Sequence, residues 1–222
     1  MLLQVIAVDP GLRIGASIIA LAIAVILHEV AHGVVALRLG DSTAYYAGRL
    51  TLNPLKHIDL WGTIIVPMLL ILSQVGIVFG WAKPVPVNYY NLKYGKYGPV
   101  LVALAGPLTN FIVLVVFASL ARITPAGTAL PFLFIMIAFI NGFLMLFNLL
   151  PIPPLDGSKV LYLFLENRPD IIQIIERYSF FVLIAILFLA SIIILTLVIG
   201  PALQLTSIFS GLSLFEIQNL IT

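Results

Sequence analysis

The chain of 222 residues is 62% hydrophobic and only 9% charged, whereas soluble domains carry about a quarter charged residues. That balance excludes a soluble globular domain and implies a polytopic membrane protein. A net charge of +2, scattered along the chain, gives no basis for nucleic-acid binding, and the lack of any cysteine removes disulfides, thiolate metal ligands and a cysteine nucleophile.

Met1 to Val8 is apolar but lacks the leading positive charge, the length and the small-residue cleavage site of a signal peptide, so it is expected to be retained. Asp9-Pro10-Gly11 reads as a turn. Long apolar stretches then run over Ile14 to Leu39, Trp61 to Phe79, Pro99 to Ala121, Leu130 to Leu150 and Phe180 to Ile199, each near the roughly twenty residues that a spanning helix needs. Between the first two, Thr43 to Leu52 is aromatic and β-branched around a central Gly48, which suggests a short strand pair directly after the first helix.

Charge partition sets the expected topology. If all five stretches cross, the Lys and Arg residues divide seven to four. If Trp61 to Phe79 instead dips in and returns, they divide nine to two, leaving only Arg13 and Arg122 opposite the rest, and the positive-inside rule is obeyed far better. Pro67 would break the helix of such a re-entrant loop. The expected fold is therefore all-α and polytopic, with four to five transmembrane helices, a re-entrant segment, a short membrane-associated β-hairpin, and the N-terminus outside. The whole chain, 1–222, reads as one domain.

Within the first apolar stretch stands His28-Glu29-Val30-Ala31-His32, and ionisable side chains inside a spanning segment mark function. Residues four apart share one helix face, so both imidazoles can meet one zinc ion while Glu29 reaches a water at the metal. Catalytic zinc sites take a third protein ligand. Glu166, Asp170, Glu176 and Glu216 lie in polar stretches, whereas Asp156 follows Pro151, Pro153 and Pro154 at the end of an apolar helix. Those prolines forbid continuous helix and can aim its carboxylate sideways. Asp156 is the best third ligand, giving one Zn2+ per chain.

With these residues in hand, the chain resembles the site-2 protease family of intramembrane zinc metalloproteases. The likeness rests on His28 to His32, on Ala105-Gly106-Pro107-Leu108-Thr109-Asn110, and on Asn148 to Gly157 with its spaced prolines and Leu-Asp-Gly. It implies a catalytic core of about residues 14–165, with zinc held by His28, His32 and Asp156 in three core helices. It further implies hydrolysis of transmembrane protein substrates in the cell (plasma or inner) membrane, with the site opening to the cytoplasm. Glu29 would act as general base and acid, and Asn148 would donate to the carbonyl oxygen. A PDZ or C-terminal regulatory domain, carried by some members, is not expected.

A helical substrate must unwind before its peptide bonds can be attacked. The strand edge at Tyr45, Tyr46, Ala47, Gly48 and Arg49 is expected to bind the extended form by strand addition, with Asn110 a further substrate contact or a helix-packing amide. His57, in a loop, is expected to cap or sit at the interface rather than touch metal or substrate. The rival reading is a membrane zinc transporter or metal-binding protein, which would need further polar residues along a pathway; the other spans carry few.

Overall fold

The computed structural model describes residues 9–73, 80–125, 128–189 and 194–221. Met1 to Val8, whose retention the sequence suggests, lies outside the described residues.

Helix α1, Pro10–Arg38, starts where Asp9 accepts the Leu12 amide at 3.1 Å and Pro10 supplies a preset first turn. Its buried face is made of Ala16, Ala20, Ala24, His28, His32, Gly33 and Ala36, a stripe of small residues that lets neighbouring backbones approach closely. Helix α2 is the single turn Thr43–Tyr46. A π-helical turn over Leu60–Ile65 then leads into α3, Val66–Leu72.

Helices α4, Tyr97–Ile123, and α5, Leu130–Asn148, pack on α1 and on each other to form the core. The register of α1 on α4 is antiparallel. Val102 meets His32, Gly106 meets both His28 and His32, and Val113 packs with Ala16 and Ala20. Beyond α5, a proline-broken turn carries the chain into α6, Gly157–Phe164, and then α7, Pro169–Leu189. Helix α8, Gly200–Ser210, follows a second π-helical turn and packs Leu205 and Phe209 against Leu114, Ala118 and Ala138. Helix α9, Leu214–Ile221, turns sharply away after Gly211, whose φ of +73° suits glycine.

Among the described residues, three helices, α1, α4 and α5, are long and apolar enough to cross a membrane, and the bent pair Leu195–Ser210 and Leu214–Ile221, at 113°, makes a fourth if counted as one span. The sequence suggested four to five. Its last apolar stretch, Phe180 to Ile199, is shared between the end of α7 and the turn before α8, with 190–193 outside the described residues.

The expected β-hairpin does not form, and among the described residues there is no strand. Asp41 accepts the amide and hydroxyl of Thr43, so the chain closes a helical turn, and Arg49 N–H then bonds Ala44 O before Gly48 can lead a strand back. Aromatic and β-branched residues favour strands only where a partner lies alongside. The expected re-entrant stretch Trp61 to Phe79 falls partly on 74–79, outside the described residues, and what the structure shows is that the residues flanking it meet. Trp81 N–H bonds Gly62 O at 3.0 Å, and Thr63 Oγ1 donates to Trp81 O.

Candidate metal centre

His28 and His32 project from one face of α1, and Asp156 is brought to them by the turn after α5. Prolines 151, 153 and 154 deny that turn helical amides, and Gly157 packs so tightly on the carbonyls of Leu149 and Leu150 that a Cβ there would lie 2.3 to 2.5 Å from them. The fold thus holds the carboxylate against α1. Asp156 Oδ2 lies 3.1 Å from His28 Nε2 and 3.4 Å from His32 Nε2, and a ligand atom from each residue falls within 4.8 Å of the others.

These atoms converge without meeting the geometry of hydrogen bonds, and Asp156 Oδ2 is buried without another partner. His32 Nδ1 donates to the Val102 carbonyl at 2.7 Å, which places the proton on Nδ1 and leaves the Nε2 lone pair facing Asp156. Gly106 makes room for the pair. A Cβ there would sit 2.5 Å from His28 Cε1 and 2.6 Å from His32 Cε1 and Nε2. Two imidazole nitrogens and one carboxylate oxygen, with a tautomer fixed by an outer bond, match the donor types that would hold a zinc ion.

Around this centre lies a pocket of about 240 Å³ lined by Glu29, Asn148, Val102 and Tyr89 among others, and closed on one side by Pro84, Val85 and Val87. Glu29 Oε2 accepts the Val85 amide at 2.7 Å, a contact the motif does not announce. The segment carrying Val85 is extended because Pro84 and Pro86 exclude helix. It is tied at both ends: Lys83 O accepts from buried Arg49 Nη2 at 2.6 Å, Lys83 N–H bonds His57 O, and Asn88 N–H bonds Asp41 Oδ2 at 2.7 Å.

Burial alone would raise the Asp41 carboxyl, but bonds from Thr43, Asn88 and Asn91 outweigh it and hold the group below the usual carboxylate range. Tyr89, at the pocket wall, is pushed up by burial and by the nearby negative charge of Asp156 and Glu176.

The other expected site residues fall in different places. Asn148 lines the pocket, but its Nδ2 donates to Leu144 O at 3.0 Å within its own helix. Asn110 is fully buried, lies outside the pocket lining and has no partner for either amide atom. Tyr45, Tyr46, Ala47 and Gly48 are exposed on and after α2, away from the pocket, and the strand edge that would have bound substrate there is absent. Arg49 points inward to brace the Pro84 to Val87 segment. His57 is buried and donates from Nε2 to Thr51 O at 2.8 Å, bracing its own turn away from the pocket lining. The alternating Pro84-Val85-Pro86-Val87 was the one available signal for an extended pocket wall.

A family model described as Peptidase family M50 matches residues 119–190, which take in Asn148 and Asp156. YwhC of Bacillus subtilis, named as a zinc metalloprotease, is 39% identical over 153 residues, covering 65% of this chain and 66% of that protein. MJ0611 of Methanocaldococcus jannaschii, also named so, is 36% identical over 148 residues, covering 65% and 68%. Rip2 of Mycolicibacterium smegmatis is 33% identical over 138 residues, and the chain spans only about half of it, 51%. No solved structure matches. With the His28, His32 and Asp156 donors assembled beside Glu29 in the apolar core, and a relative matched over two thirds of its length, the chain belongs to peptidase family M50.

Proposed function

We propose that this chain is an intramembrane zinc endopeptidase that hydrolyses peptide bonds within or beside transmembrane helices of membrane-anchored proteins. The observation that carries this reading is the convergence of His28 Nε2, His32 Nε2 and Asp156 Oδ2 next to Glu29, on a helix apolar enough to cross a bilayer. Zinc, when bound there, supplies Lewis acidity toward a carbonyl oxygen and toward water. Glu29 takes a proton from the attacking water as its oxygen bonds the carbonyl carbon, then passes it to the departing amine nitrogen as the C–N bond breaks. Asn148 turns its amide from Leu144 O into the pocket and donates to the carbonyl oxygen as negative charge builds.

At about 240 Å³ the pocket is below the roughly 300–1,000 Å³ of sites that enclose a whole small ligand. An extended peptide therefore enters by moving the Pro84 to Val87 segment aside, freeing Glu29 from Val85. Cytoplasmic opening is supported by the nine-to-two division of basic residues and by the meeting of Gly62 with Trp81, which returns Lys83 to the side of Lys56. His32 precedes Arg38, at the charged end of α1, by six residues, which puts the metal roughly 10 Å below that surface at 1.5 Å per residue.

The test is reconstitution of the full chain with a membrane-anchored helical substrate, wild type beside Glu29→Gln. Zinc content is expected to match, while cleavage falls by at least about 100-fold, the lower range for loss of a general base. Equal cleavage by both, or zinc passage across vesicles with no cleavage by either, would overturn the protease reading.

A further inference from the structure

Metal-bound histidines almost always donate their second ring nitrogen to a fixed partner, and that outer bond orients the ring. His32 obeys, donating to Val102 O. His28 does not: its Nδ1 is buried without a partner. Elsewhere in the α1–α4 interface, Asn110 is fully buried with both amide atoms equally unpartnered, which is costly for a carboxamide in an apolar interior.

Register sets these two on facing stretches of α1 and α4. Val102, Gly106 and Asn110 are spaced four apart on one face of α4, and the first two already face His32 and then His28 with His32. Val113 meets Ala16 and Ala20 further along, so Asn110 falls opposite the turn between Ala24 and His28. Side chains on a helix lean toward its N-terminus. Because the helices are antiparallel, His28 leans toward Ala24 while Asn110 leans back toward Gly106, so the two approach each other. Ala24, one turn before His28 on the same face, is fully buried and carries only a methyl group.

Taking His28, His32 and Asp156 as the zinc ligands, we infer that Asn110 is a positioning residue whose Oδ1 accepts the His28 Nδ1 proton, directly or through one water, and so holds the His28 Nε2 lone pair toward the metal. Its role is to orient a ligand, not to touch substrate.

The experiment measures zinc affinity of the detergent-solubilised full chain by chelator competition, with the visible spectrum of the cobalt-substituted protein and ¹⁵N NMR of ring-labelled histidine as readouts that packing alone would not move. Asn110→Leu, of similar volume, is expected to weaken zinc binding about 10- to 100-fold, the usual cost of losing an outer-shell partner, and to alter both spectra. Asn141→Leu is the control. Asn141 is equally buried, with its amide already on Ile137 O at 2.8 Å, and its loss is expected to leave affinity and spectra unchanged. Should Asn110→Leu fail to fold, Asn110→Ser and Asn110→Ala decide, since they differ by one hydroxyl: Ser is expected to bind zinc at least several-fold more tightly than Ala. Wild-type affinity and spectra in Asn110→Leu, or equal affinity of the Ser and Ala variants, would overturn the inference. A wild-type chain that binds no zinc would overturn the ligand assignment itself, and this inference with it.

Discussion

Gly106→Ala adds one methyl group to the wall behind both imidazoles, and its effect follows from the packing. The new Cβ would stand 2.5 Å from His28 Cε1 and 2.6 Å from His32 Cε1 and Nε2, about 0.9 Å inside ordinary contact. His32 cannot swing away without breaking its bond to Val102 O, and His28 cannot without leaving Asp156. Either the rings move or α4 backs off α1. Metal–ligand distances tolerate only about 0.2 Å, so a displacement several times larger is expected to weaken zinc binding roughly 100-fold. Overpacking should cost the metal-free fold about 1–3 kcal/mol as well. At a zinc concentration of about 1,000 wild-type Kd, zinc stabilises the native state by about 4 kcal/mol, and a 100-fold weaker site keeps only about 1.4 of that. Chelator competition reads the affinity, and unfolding in detergent with and without zinc reads the stabilisation. Zinc affinity within threefold of wild type, with an unchanged zinc-dependent shift in unfolding, would refute the claim that Gly106 is required by the rings.

Asp156→Ala removes one of the three proposed ligands and is expected to lower zinc affinity by more than the roughly 100-fold ceiling of outer-shell changes; undiminished zinc by elemental analysis would strike Asp156 from the ligand set. Cysteines placed singly at Lys56 and Lys93, in a chain with none of its own, are expected to react alike with an impermeant reagent in intact cells, and labelling of one alone would restore a full crossing by Trp61 to Phe79. The depressed Asp41 carboxyl stabilises the fold above the unfolded carboxylate pKa of about 3.9, and that contribution is lost as pH falls through its lower folded value. The stability gap between wild type and Asp41→Asn should therefore narrow progressively below about pH 4; a gap constant from pH 6 to 3 would show that the ionised form of Asp41 contributes nothing.

What could be read from the sequence was what local spacing determines. His28 and His32 share a helix face by arithmetic alone, and three prolines before Asp156 announce a turn able to aim a carboxylate, so the cluster of these three side chains is legible although His32 and Asp156 stand 124 residues apart. The strand pair at Thr43 to Leu52 was misjudged because strand propensity takes its value from a neighbour, and here Asp41 offers a competing helical turn through Thr43. The Val85 bond to Glu29 joins positions 56 residues apart through a backbone amide, and no side-chain identity encodes a backbone amide. For Asn110 the sequence leaves open a substrate contact or a helix-packing amide, since its full burial outside the pocket lining depends on the α1–α4 register.

If Glu29 is the base proposed above, the Pro84 to Val87 segment makes the first competitor for it part of the same chain. Tethered through Arg49 and Asp41, it stands before Glu29 at the effective concentration of a short linker, on the order of millimolar. Under the proposed function, a membrane helix meets a threshold and not an open cleft. Brief or weak encounters leave the base covered, and only a segment that unwinds and outbids the tether reaches it. Prolines at 84 and 86 keep this guard weak, since neither has an amide hydrogen to strengthen its hold. For the proposed substrates, selectivity then begins with the ease of unwinding, before any side chain is read.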